Sequence, residues 1–89
     1  MLDLATVSVV NVEVVRHAKT GLFVATSPDL PTMFVHGRSD DEVLQNVVEA
    51  IKTILEAQAE QSFGVSPQGE PKWSFDKLIA SFSAEPIAV

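Results

Sequence analysis

The sequence predicts an α+β fold in which an antiparallel sheet of three to four strands is covered on one face by one long helix. The predicted order of elements is strand–strand–strand–helix–strand. Three observations favour it: a valine-rich alternating segment, a proline-rich turn before a short apolar strand, and a capped amphipathic helix. With 89 residues, the chain has room for a single domain over residues 1–89.

The first two strands are predicted on either side of a tight turn. Valine dominates residues 5–17, and β-branched side chains favour strands. Apolar and polar residues alternate at its centre, which is typical of a strand with one buried and one solvated face. The alternating residues are Val10, Asn11, Val12, Glu13 and Val14. Residues 18–21 predict a hairpin turn because Gly21 can take a positive φ, and residues 22–26 are the second, antiparallel strand.

A proline-rich turn at residues 27–32, with the sequence SPDLPT, precedes the third strand. Each proline fixes its own φ and moves the preceding residue out of the helical region. Asp29 can bond its own backbone, as aspartate often does in turns. Residues 33–38 then predict the third strand of an antiparallel meander.

The helix is predicted from about residue 40 to residue 61. Ser39 and Glu42 form a capping box, in which the serine side chain accepts a hydrogen bond from the backbone N–H three residues later. One apolar stripe follows the helical period and predicts the buried face. Its members are Val43, Leu44, Val47, Val48, Ile51, Ile54 and Leu55. Gly64 is the predicted C-cap, and residues 65–72 are predicted to be a loop because they contain two prolines and a glycine.

The tail, residues 73–89, is compatible with two structures. A short helix could begin near Ser74, or residues 77–84 could form a fourth strand that pairs with the sheet edge. We favour the strand, since it would leave one sheet covered by one helix.

The net charge of the chain and its hydrophobic content indicate which partners to expect. Six basic against twelve acidic residues give a net charge of −6, so we expect no direct binding of nucleic acid and a better match to a basic protein. The chain is 46% hydrophobic, which is high for its size, and this predicts self-association. The start of the chain lacks a basic segment, no apolar run could span a bilayer, and there is no cysteine; a cytoplasmic protein without disulfides or membrane contact is expected.

No enzyme is predicted, and neither is a cofactor or a metal. His17 and His36 are the only histidines, and nothing in their spacing requires them to meet. Asp29, Asp40 and Asp41 could converge as an acid–base or magnesium site. They are more simply interpreted as a turn residue and two charges at a helix N-terminus.

The segment from residue 23 to residue 51 resembles the HicB-like antitoxin superfamily. A strand is followed by the turn SPDLP, a second strand and the helix start GRSDDEVLQNVVEAI, and those proteins carry a similar P-D-L-P-G turn, strand and Gly-x-Ser/Thr-x-x-Glu helix start. Thr32 departs from the pattern, since the family usually has glycine there.

The resemblance implies a sheet akin to a truncated ribonuclease H fold and a HicA-like toxin as partner, a small basic ribonuclease that cleaves mRNA. The antitoxin would sequester the toxin as a dimer or larger assembly such as a tetramer. The expected contact residues are Asp29, Leu30, Pro31, Thr32 and Phe34, and plain turn architecture is an equally good interpretation of them. The alternative is a stand-alone homo-oligomeric scaffold or regulatory module without a toxin.

Overall fold

A computed structural model describes residues 8–87, and in this part of the chain one helix lies on a six-stranded antiparallel sheet. The strand order is β3-β2-β1-β6-β4, and β5 also pairs with β6. The elements are β1 (Ser8–Arg16), β2 (Phe23–Thr26), β3 (Phe34–Gly37), α1 (Asp40–Ala59), β4 (Phe63–Pro67), β5 (Lys72–Ser74) and β6 (Lys77–Pro86). The predicted first strand began at residue 5, and its first three residues lie outside the described part.

The prediction of a three- to four-stranded β-β-β-α-β sheet, of truncated ribonuclease-H-like or HicB-like type, is wrong in the number of strands. Half of the segment predicted as a loop, residues 65–72, belongs to β4 and the start of β5, which follow one another along the outer edge of β6. Proline lacks a backbone N–H and is tolerated on an edge strand, where no further strand needs that donor. Pro67 lies on this edge, so proline content alone did not exclude a strand.

The helix start is confirmed, and its end differs from the prediction. Ser39 is the N-cap, and its Oγ accepts a hydrogen bond from the backbone N–H of Glu42 at 3.1 Å. The helix ends at Ala59, where Glu60 takes the left-handed conformation with φ 56°. Gly64 lies within β4 and is not the C-cap.

The core lies between α1 and one face of the two long central strands. Val10, Val12 and Val14 of β1 are fully buried, as the alternation predicts. The predicted strand at residues 77–84 is confirmed within β6, whose alternate residues face the same core. The buried residues of β6 are Leu78, Ala80, Phe82 and Ala84.

Close packing at the end of β3 sets the position of the helix. Gly37 is buried, and a Cβ atom built there would lie only 2.7 Å from the backbone nitrogen of Val43. Glycine at this position therefore allows the first turn of α1 to approach the sheet. Over residues 8–87, no helix combines the length and the apolar character needed to cross a membrane.

Candidate functional site

The five expected contact residues occupy different environments around the turn between β2 and β3. Leu30 is 4% exposed and belongs to the core, whereas Pro31 and Thr32 are exposed. Asp29 is half-buried, and Phe34 is 69% exposed on β3. Of the five residues, only Pro31, Thr32 and Phe34 are exposed to solvent.

At the beginning of the turn, side chains form the hydrogen bonds to β1 that the backbone of a neighbouring strand would otherwise form. β2 pairs with β1 only at residues 13–16, so Asn11 of β1 has no β2 residue opposite it. Asp29 Oδ2 accepts a hydrogen bond from the backbone N–H of Asn11 at 2.8 Å, and Ser27 Oγ donates to the Asn11 carbonyl at 2.6 Å. Both backbone groups of Asn11 are thus satisfied where a strand partner is missing.

The side chain of Asn11 extends this hydrogen-bond network across the exposed face of the sheet. Asn11 Nδ2 donates to Asp29 Oδ2 at 3.3 Å, and Asn11 Oδ1 accepts a hydrogen bond from Ser81 Oγ of β6 at 3.0 Å. This network fixes the turn to β1 and β6. Sequence reasoning did not single out Asn11 or Ser27 for this role, although a lone asparagine on the wet face of a valine-rich strand was a visible signal.

Replacing Ser27 by alanine should lower the free energy of unfolding by about 1–3 kcal/mol. Ser27 is 6% exposed, and its Oγ also accepts hydrogen bonds from the backbone N–H groups of Asp29 and Leu30. Its loss would leave these groups and the Asn11 carbonyl without that partner. Urea unfolding followed by circular dichroism measures the change. Ser66→Ala, at an exposed position of β4, is the matched control, and equal midpoints for the two variants would contradict the role of Ser27.

An open groove, here called the β3–α1 groove, runs along the outer side of β3. Its volume is about 390 Å³. Within residues 8–87, β3 is the last strand on this side of the sheet, and α1 forms the opposite wall of the groove. The lining residues are Thr32, Met33, Phe34, Val35, Glu49, Ala50, Thr53 and Ile54. The structure thus brings two of the expected contact residues, Thr32 and Phe34, together with a carboxylate of the helix.

The strand beside the groove is only partly covered. Asn46 Nδ2 of α1 donates a hydrogen bond to the carbonyl oxygen of His36 at 3.1 Å, which satisfies one backbone acceptor of β3. The rings of Phe34 and His36 meet edge to face, with centroids 6.5 Å apart. Phe34 therefore lies against the His36 ring and still presents most of its surface to solvent.

The three aspartates considered above as an acid–base or magnesium site do not form one cluster. Asp40 and Asp41 begin α1 close to Gly37 in the chain. Gly37 of β3 pairs with Phe23 of β2, which pairs with Arg16 of β1, so these two aspartates lie near the Arg16 end of β1. Asp29 instead bonds Asn11, five residues earlier on β1, or about 16 Å along the strand. Among residues 8–87, no group of three or more His, Cys, Asp or Glu side chains could hold a metal ion.

Compared with models of protein families, with curated proteins and with solved structures, the chain matches none of them. The resemblance to HicB-like antitoxins therefore stays a prediction from the residues that carry it.

Proposed function

We propose that the protein is a HicB-like antitoxin, a binding module that sequesters a small basic HicA-type toxin in the cytoplasm. The observation that carries the proposal is the β3–α1 groove, where Thr32 and Phe34 lie beside Glu49 along the free side of an edge strand. Inhibition would result from covering the toxin's RNA-binding surface, so no catalytic group is required of this chain.

The edge of β3 suits a partner that supplies an extended segment. An edge strand offers backbone donors and acceptors, and an added strand gains affinity from main-chain hydrogen bonds and specificity from side-chain pockets. The half-buried side chains of Val35 and Ile54 give the β3–α1 groove an apolar floor, and Phe34 gives it an exposed aromatic wall. Aromatic side chains that become buried on binding often dominate the energy of an interface.

The charge of the helix suits a basic partner. Glu49 lines the groove, and Glu42 lies seven residues earlier on the same side of α1, two helical turns away. Both side chains are exposed, and the whole chain carries a net charge of −6. A positive protein would be attracted to this side, and the attraction would speed its association at low salt.

Charge reversal at position 49 should slow the association of the toxin several-fold at low ionic strength. Glu49→Lys removes a negative charge from the groove and adds a positive one, so the difference from the wild type should shrink as salt is raised. The toxin is obtained by purifying the protein from its native cells, identifying the bound chain by mass and measuring its cleavage of RNA with and without this protein. Surface plasmon resonance then gives the association rate constants.

Glu85→Lys is the matched control, since it makes the same charge change at an exposed position of β6. Equal association rates for the two variants would show that the β3–α1 groove is not the docking surface. A purified protein with no basic ribonuclease bound, or a bound ribonuclease that stays active, would overturn the antitoxin proposal.

A further inference from the structure

The hydrogen bonds of β1 and β2 show which backbone groups of β3 face away from the sheet. On an antiparallel strand, the N–H and C=O groups of successive residues point to opposite sides. Asn11 bonds the β2–β3 turn, so the residues of β1 two and four positions later also point toward β2. Their partners in β2 bond back to β1, which leaves Ala25 to bond Val35 of β3. The backbone groups of Phe34 and His36 therefore point outward, away from β2.

This outward edge of β3 is closed at both ends. Asn46 Nδ2 already donates to the His36 carbonyl oxygen at 3.1 Å, in agreement with the outward direction of that group. At the other end, the N–H of Met33 donates to the Leu30 carbonyl oxygen at 2.9 Å, where the chain turns. Within the described part of β3, Phe34 is thus the residue that offers both an N–H and a C=O to a further strand.

The helix runs beside β3 in the opposite direction, and this fixes which of its side chains lies at which point of the edge. Asn46 lies beside His36. Three residues of helix rise about 4.5 Å and one residue of strand about 3.4 Å, so Glu49 lies roughly level with Val35. Ile54 lies about 12 Å further along than Asn46, level with the residues just before β3. The β3–α1 groove therefore has a carboxylate at one end and an aliphatic side chain at the other.

We propose that the β3–α1 groove binds an extended segment of the basic partner as an added antiparallel strand, whose sequence reads basic–any residue–aliphatic from N- to C-terminus. The middle residue pairs with Phe34, and its two neighbours turn their side chains into the groove. Because the strands are antiparallel, the preceding residue lies opposite Val35 and beside Glu49, and the following residue lies beside Ile54. The inference rests on the antitoxin proposal for the identity of the partner.

The closed ends of the edge restrict the partner to this register. A shift by one residue would turn every side chain of the added strand to its other face, so the basic and aliphatic residues would leave the groove. A shift by two residues in one direction places a partner N–H opposite the His36 carbonyl, which Asn46 occupies. The opposite shift runs into the turn at Leu30. Antiparallel pairing matches the described sheet and is slightly more stable than parallel pairing.

The charge of the groove makes the order of the two partner side chains matter. Glu49 is the only charged residue among the described residues that line the groove, and it is exposed. An arginine beside it can bond both carboxylate oxygens through its planar fork. The reversed order would place the cation beside Ile54 and an aliphatic side chain beside the carboxylate. One antiparallel order is therefore favoured over the other.

NMR titration of the full chain with two blocked peptides, TTRTVTT and its reverse TTVTRTT, tests the proposal. The peptides have the same composition, and the first should have a dissociation constant about threefold lower. The ratio is modest because exposed ion pairs are weak. The amide signals of Phe34 and His36 should shift most, since both N–H groups gain a partner. A reverse peptide that binds as well or better, or a first peptide that leaves both signals in place at millimolar concentration, would overturn the proposal.

Glu49→Gln removes the charge and keeps the size of the side chain, so this variant should bind the two peptides equally. Glu85→Gln, at an exposed position of β6, is the matched control and should retain the preference. A preference that survives Glu49→Gln would contradict the role of this carboxylate. The titration needs no toxin, so the two proposals fail separately. A captured toxin without a peptide preference removes only the strand proposal, and a peptide preference without any toxin removes only the antitoxin proposal.

Discussion

Gly37→Ala should lower the free energy of unfolding by about 3 kcal/mol, which is large for a single methyl group. A Cβ atom at position 37 would lie 2.7 Å from the backbone nitrogen of Val43 and 2.9 Å from its Cα. Both are backbone atoms of the first helical turn, so no side-chain rotation can relieve the overlap. The helix would have to move away from β3, and the packing of buried Val43 and Val47 on the sheet would be lost with it.

Urea unfolding followed by far-ultraviolet circular dichroism measures this effect, with wild type and variant at one protein concentration. Gly64→Ala is the matched control, because a Cβ atom there meets nothing closer than Ile87 Cγ1 at 3.8 Å. That variant should be neutral or slightly more stable, since alanine restricts the unfolded chain. Similar losses at the two positions would show that the approach of α1 to β3 does not depend on glycine.

Local chemistry made the first half of the fold predictable. Ser39 and Glu42 mark the helix start by side-chain chemistry that acts within four residues, and the helix begins where they place it. The alternation at residues 10–14 likewise depends only on the period of a strand, and the buried residues of β1 follow it. Both signals are contained in short windows of sequence.

The second half depends on contacts that no short window contains. β4 and β5 pair with the outer edge of β6, although the prolines and glycines in β4 and in the segment between the two strands are typical of loops when considered alone. The helix end differs for a similar reason. Glu60 takes a left-handed conformation that glycine would be expected to fill, and Glu56 Oε2 accepts a hydrogen bond from the backbone N–H of Phe63 as the chain turns into β4.

The contacts of the candidate site also join residues that are far apart in the sequence, so no short window predicts them. Asp29 was identified as a turn residue, but its hydrogen-bond partner Asn11 lies 18 positions away, and Asn11 in turn bonds Ser81, 70 positions away. Such partners become visible only when the register of β1 and β6 is known. The β3–α1 groove is equally a product of packing, since Phe34 and Glu49 come from different elements.

Phe63→Ala should have the second large effect and should lower the free energy of unfolding by about 3–5 kcal/mol. Phe63 is 1% exposed at the start of β4, where it pairs with Pro86 at the end of β6. Proteins of this size are stable by only about 4–13 kcal/mol, so the variant should be close to unfolding. Guanidinium unfolding at a fixed protein concentration gives the loss.

Phe34→Ala removes the same atoms from a side chain that is 69% exposed, and it should cost less than about 1 kcal/mol. Because both variants make the same Phe→Ala change, a difference between them measures the effect of burial. The comparison therefore tests whether Phe63 is buried in β4, as the six-stranded sheet requires. If Phe63 merely followed the helix in a surface loop, both variants would unfold at the same denaturant concentration. In the six-stranded sheet, by contrast, Phe63→Ala should also speed hydrogen exchange of the β4 amides, while those of β2 and β3 are affected less.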